Sequence, residues 1–257
     1  MKIKTIKLKY MVFGALMSTV SFSSCDALSQ LPNGGGVGAG TTGNTSSTGS
    51  ISSGEAASGI KQALGQGLEK SIQSLAVRDG FLGNAAVKIL MPPEAQNIER
   101  TLRSVGLGSL VDDFITNLNR AAETAVKEAS PVFVSSLSQL TVTDAFNILL
   151  SGQEDAATQF FRRTTTDQLV GKFSPIVDQA IGQHQVARHW SNLVTRYNQI
   201  PLVNEKIETD LTKYVTERAI DGLFHQVAVE ELKIRNNLGG SRSTPLLQKV
   251  FDYADKH

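Results

Sequence analysis

The sequence predicts an all-α fold: a single bundle-like domain of about ten helices after a disordered N-terminal tether. Three observations predict it. Apolar residues recur every three or four positions through most of the chain. Short breaks containing Pro or Gly separate those segments. Aromatic residues make up only 6% of a chain that is 40% hydrophobic, which suits helices better than strands rich in aromatic and β-branched side chains.

The N-terminus reads as an export signal over residues 1–24. Lys2, Lys4, Lys7 and Lys9 precede an apolar run from Tyr10 to Phe22, and Ser23 and Ser24 come directly before Cys25. The run is about 13 residues, short of the 18 or more that a permanent spanning helix needs. Cys25 is the single cysteine, so an intramolecular disulfide is excluded. F-S-S-C looks like a bacterial lipobox, with Phe22 where Leu is commoner, and it makes Cys25 the expected lipidation site. Acyl chains, each contributing about 0.8 kcal/mol per buried methylene, would then hold the protein at a membrane. The competing reading is a plain secreted protein with an incidental cysteine. Asp26 resembles an inner-membrane retention signal of enteric bacteria, a rule that differs between phyla. The expected location is the bacterial cell envelope, lipid-anchored on the periplasmic or surface side.

Residues 25–58 read as the lipidated cysteine and a Gly/Ser/Thr-rich disordered linker, because that composition cannot bury enough apolar surface to offset its ordering entropy. About 30 such residues reach about 30 Å. Their G-x-G pairs follow no strand and open no helix, so they are linker rather than a nucleotide loop.

Residues 59–257 form the predicted helical domain. Ile60, Leu64, Leu68, Ile72 and Leu75 mark a first helix, predicted over about 56–76. Asp79-Gly80 and Gly83-Asn84 are turn dipeptides, and Val87 to Met91 is a short run read as an extended loop crossing the body. Pro93 opens a helix with Ile98 and Leu102 that Gly106 ends. Ser109 with Asp112 predicts a capping box for a long helix carrying Phe114, Leu118 and Ala122. Ser130-Pro131 ends it and starts another, and Thr141 with Asp144 caps a short helix closed by Gly152. Thr165 or Thr166 is the predicted cap of a helix with Leu169 and Phe173 that Pro175 kinks or restarts. A segment with Trp190 and Leu193 follows, broken at Ile200-Pro201. The clearest helix spans about 208–236, and Thr244-Pro245 opens the last.

Four motifs, D-G-F-L-G-N (Asp79 to Asn84), N-R-A-A-E (Asn119 to Glu123), D-A-A-T-Q-F-F-R (Asp155 to Arg162) and D-G-L-F (Asp221 to Phe224), occur in this order. With them the chain resembles a bacterial family catalogued only as domain of unknown function 4197, over about residues 60–251. The resemblance implies an exported, mostly helical protein, often a lipoprotein, and carries over no activity or catalytic residue.

The densest chemistry lies in D-A-A-T-Q-F-F-R-R-T-T-T, from Asp155 to Thr166. Arg162 and Arg163, with Thr165 nearby, could bind carboxylate or phosphate. The bland reading, preferred here, pairs an arginine internally with Asp79, Glu123, Asp155 or Asp221 and uses the threonines as caps, because a buried unpaired arginine would be very costly. His184 and His189, five apart, lack the four-residue spacing of a helical zinc pair. Asp221 and His225 are four apart and read as a helix-surface pair. Glu230 and Glu231 read as solvated charge. No G-x-S-x-G elbow or other nucleophile signature occurs, and no metal or cofactor is expected. A net charge of +1 gives no field to recruit nucleic acid. These features point to a non-catalytic binding or scaffolding module for a protein, lipid or anionic ligand; the alternative is a periplasmic hydrolase with an Arg/Asp site around Arg162.

Overall fold

The computed structural model describes residues 51–200 and 209–257. The predicted signal segment, Cys25, the tether up to residue 50 and Pro201 lie outside these residues. Among the described residues all regular structure is helical, in nine α-helices where about ten were predicted. They are α1 (Ser53–Leu75), α2 (Gln96–Ser104), α3 (Gly108–Val126), α4 (Ser130–Gln139), α5 (Val142–Leu149), α6 (Ala156–Gln183), α7 (Val186–Asn198), α8 (Leu211–Arg235) and α9 (Pro245–Ala254). No single helix among them is long and apolar enough to cross a membrane.

Local chemistry explains most of the boundaries. The α1 helix starts at Ser53, inside the predicted linker, because Ser52 and Glu55 form a reciprocal capping box that satisfies two orphan N–H groups. Thr141 and Asp144 form the predicted box on α5. Asp210 caps α8 by accepting from the Lys213 N–H, and Thr244 caps α9 by accepting from the Leu247 N–H. The predicted Ser109–Asp112 box does not form: α3 begins at Gly108 without a side-chain cap, and Asp112 instead accepts from Arg103 at 2.7 Å.

The predicted helix junction inside D-A-A-T-Q-F-F-R-R-T-T-T is also corrected, since α6 runs unbroken through it. The hydroxyls of Thr164, Thr165 and Thr166 donate back to the carbonyls of Phe160, Phe161 and Arg162 within the same helix, so none of them is a cap. Pro175 sits inside α6 without restarting it. The carbonyl it leaves unpaired belongs to Gly171; both residues are exposed, so water can take that bond.

The N-terminus of α6 receives help from another helix. Asp155 makes no cap bond; instead Glu231 of α8 accepts the N–H groups of Ala157 and Thr158 at 2.9 and 2.8 Å, and the Thr158 hydroxyl as well. A carboxylate there also meets the positive end of the helix dipole. Glu230 and Glu231, read from sequence as solvated, are both buried; Lys233 pairs with the first and Arg235 with the second.

The core gathers around α8, which packs on α1, α3 and α6, while α1 also meets α4, α5 and α9. The α6 and α8 helices are antiparallel. Ala157 lies beside Glu231, Arg162 beside Asp221, and Asp178 accepts from the Thr212 hydroxyl. Phe133 meets Phe161 and Phe224 edge to face at 5.8 and 6.0 Å, which fixes how α4, α6 and α8 seat together. Arg242, 5% exposed, fastens the C-terminal end by bonding Asp252, Asp255 and the Ile234 carbonyl.

Candidate functional site

Three of the four sequence motifs meet along one irregular segment, residues 76–92, between α1 and the turn before α2. Its residues Val87, Ile89 and Met91 are buried while Lys88 and Leu90 are exposed, the period-two pattern of a strand. No strand lies beside it among the described residues. The buried Asn119 of α3 supplies what a neighbouring strand would: its Oδ1 accepts the Ile89 N–H at 2.9 Å and its Nδ2 donates to the Ile89 carbonyl at 2.8 Å. The Tyr214 hydroxyl of α8 donates to the Leu90 carbonyl. One helical turn on, Glu123 accepts the N–H groups of Phe81 and Leu82 and pairs with Arg120, which also holds Asp79 at 2.7 Å.

Asp79 itself has φ 67°, a left-handed conformation that Asp tolerates better than most residues. At Gly80 a Cβ would run into the Leu75 and Ser74 carbonyls, and at Gly222 it would lie 2.7 Å from Phe81 Cε1. Both glycines are therefore required by close approach. Burial lowers the proton affinity of the Arg120 guanidinium, but its bonds to Glu123 and Asp79 outweigh this and raise its pKa. His184 lies 3.3 Å from the Thr124 hydroxyl; burial, then the Arg120 charge, holds its pKa below the usual histidine value against the opposing pull of Glu123.

The outer side of this segment forms one wall of a cleft of about 320 Å³ whose other walls are α6 and α8. Arg162 Nη1 donates to Asp221 Oδ1 at 2.9 Å, and Arg218 reaches Asp221 Oδ2 at 3.2 Å. The Arg162 guanidinium also lies 4.8 Å from the Phe224 ring centroid. These side chains stay 43%, 50% and 44% exposed for Arg162, Arg218 and Asp221. Lys88 and His225 complete the polar lining; Ala86, Val87, Ile89 and Gly222 complete the rest. Two guanidiniums thus hold one carboxylate in a cleft that Lys88 also lines, and each guanidinium keeps N–H donors that Asp221 does not use.

The predicted cluster therefore divides. Arg162 and Asp221 come together in the cleft. Asp79 and Glu123 belong to Arg120, and neither lines it. Asp155 accepts from Gln159 and pairs with no arginine among the described residues. Arg163 is exposed and lies over the Phe160 ring at 5.7 Å, away from any carboxylate partner among the described residues. Thr165 is fully buried. Sequence reasoning missed Lys88, Arg120 and Arg218. The three-residue spacings Arg120–Glu123 and Arg218–Asp221 were the available signal for two of them; Lys88 had none, since only the loop path brings it to the cleft. Among the described residues no three His, Cys, Asp or Glu side chains converge as a metal cluster.

A family model described as "Protein of unknown function (DUF4197)" matches residues 50–252. No curated protein and no solved structure matches the chain.

Proposed function

Since the chain belongs to the family described as protein of unknown function (DUF4197), its role has to be argued from its own residues, and we propose that it is a membrane-anchored envelope lipoprotein whose helical body is a non-catalytic binding module for an anionic ligand. Anchoring through Cys25 and the Gly/Ser/Thr-rich linker is the part read from sequence. The observation that carries the binding role is the cleft: Arg162 and Arg218 hold a single carboxylate, Lys88 lines the same space, and all three stay solvent-accessible. Asp221 holds the two guanidiniums in a fixed fork, which lowers the entropy lost when an anion binds. Among the described residues the lining contains no hydroxyl or thiol, and Asp221 is committed to two arginines, so this geometry supports binding better than turnover.

The test is titration with inorganic phosphate, followed by NMR of the arginine side chains. Phosphate should shift the Arg162 and Arg218 signals, and the double variant Arg162→Ala, Arg218→Ala should lose binding at least tenfold. Asp221→Asn keeps an oxygen that can accept from Arg162 and so part of the fork, while removing a unit charge about 6 Å from the anion in water changes the energy by about 0.7 kcal/mol, so binding should tighten by up to roughly threefold. If phosphate leaves the arginine signals unmoved, the anion-binding reading fails. For the anchor, Cys25→Ser should leave the protein out of the membrane fraction; an unchanged membrane fraction overturns that part.

A further inference from the structure

The basic cleft continues along the α6–α8 seam into a second groove of about 640 Å³, and His225 lines both. The two hollows together form a trough along the antiparallel α6–α8 seam. Arg218, Asp221, His225, Val229 and Leu232 recur at three- and four-residue spacing along one face of α8. On α6 and the residue before it the facing stripe is Arg162, Gln159 and Asp155. From Arg218 to Leu232 the helix rises about 21 Å.

The two ends carry opposite charge. At one are Lys88, Arg162 and Arg218. At the other, Glu154 and Asp155 have no ion-pair partner among the described residues. Between them the floor is half-buried Ala228, Val229 and Leu232, flanked by the amide side chains of Gln153 and Gln159.

We infer that this trough binds a short polypeptide segment of a partner protein, laid along α8 with an acidic group over Arg162 and Arg218 and a basic side chain against Glu154 and Asp155. About 21 Å of extended chain is roughly six residues at about 3.3 Å each. Apolar side chains of the segment cover Val229 and Leu232, and Gln153, Gln159 and His225 meet its peptide groups. Charge complementarity selects this occupant. A lipid would place its headgroup at the basic end and then run its acyl chain past two carboxylates that have no cationic partner among the described residues, and a uniformly anionic polymer would be repelled at the Glu154 end. The inference rests on the anion-binding reading of the cleft and adds the class of ligand.

The test uses two sets of fluorescent hexapeptides with randomised central residues, one with Lys and Glu at opposite ends in both orders, the other with Glu at both ends. Binding to the full chain is read by anisotropy. The mixed-charge set should bind at least tenfold more tightly. In the variant Glu154→Lys, Asp155→Lys the preference should invert toward the doubly acidic set, with an unchanged circular dichroism spectrum showing that the fold is kept. A wild-type preference for the doubly acidic set, with phosphate still perturbing Arg162, would overturn the trough and leave the anion cleft standing. Phosphatidylglycerol vesicles serve as the second arm: competition by vesicles with the mixed-charge peptides, at lipid concentrations where inorganic phosphate does not compete, would also overturn it in favour of a headgroup site. Absence of binding by both peptide sets, with a normal phosphate response, rejects the inference alone.

Discussion

Replacing Asn119 with Leu should remove a large part of the stability of the domain. Asn119 is fully buried and holds both polar groups of Ile89 in a segment that no strand flanks among the described residues. Leu has the same branched outline but bulkier ends, so it leaves no cavity, and any overpacking at this fully buried site adds to the loss. What it cannot do is bond the Ile89 N–H and carbonyl, and each buried group left unpaired costs about 1–3 kcal/mol. The expected loss is therefore about 2–6 kcal/mol, against a total that for a typical domain is about 5–15 kcal/mol. The Ile115 carbonyl, which also accepts from Asn119 Nδ2, keeps its own place in the α3 ladder and adds little. Urea unfolding followed by circular dichroism should show a lower midpoint with an unchanged slope, and exchange of the Ile89 amide should become fast. Asn119→Asp sharpens the test: it keeps an acceptor for the N–H but buries a charge beside two carbonyls, so it should be partly rescued at low pH where the carboxyl is neutral and can donate. A loss below about 1 kcal/mol for Asn119→Leu would refute the idea that this amide stands in for a strand.

Two further outcomes follow from the capping and packing geometry. Lys249 donates to Glu55 at 2.6 Å and the Ser52 N–H and hydroxyl also bond it, holding its carboxyl at about 2 against an ordinary 4.5. A depressed carboxylate contributes stability above its unfolded value and loses it as pH falls, so the wild type should weaken between about 4.5 and about 2. Glu55→Gln should start less stable at pH 7 and show a shallower fall across that window in thermal melts; an identical profile would remove Glu55 from the linkage. Gly80→Ala would push a methyl into the backbone carbonyls of Leu75 and Ser74, which cannot swing aside as a side chain would. It should cost about 2–3 kcal/mol and lower Tm by about 5–10 °C, and an unchanged Tm would show that the loop yields.

What could be read from the chain depended on how local the cause was. Capping at Thr141 with Asp144 and at Thr244 depends on groups three residues apart, so those helix starts were legible, as were the breaks at Gly106 and Ser130-Pro131. Ser109 with Asp112 carried the same signal and failed, because Arg103, nine residues earlier in sequence, competes for the carboxylate of Asp112. The T-T-T run looked like a set of caps, yet the α6 N-terminus had already been satisfied from Glu231 across the interface, and a threonine in mid-helix turns its hydroxyl back on its own carbonyls.

By itself the sequence determined the class of the fold, the order of its segments and the family, because apolar periodicity, turn residues and short motifs are properties of neighbours along the chain. Only the tertiary structure decided which carboxylate each arginine meets. Arg162 goes to Asp221 and Arg120 to Asp79, over separations of 59 and 41 residues. Ion pairing depends on the position of a charge in space to within a few ångströms, and that position follows from the antiparallel seating of α6 on α8 and from the path of residues 76–92 across them. Packing likewise put Lys88 and Arg218 beside Arg162 and left Glu154 and Asp155 at the far end of the same trough.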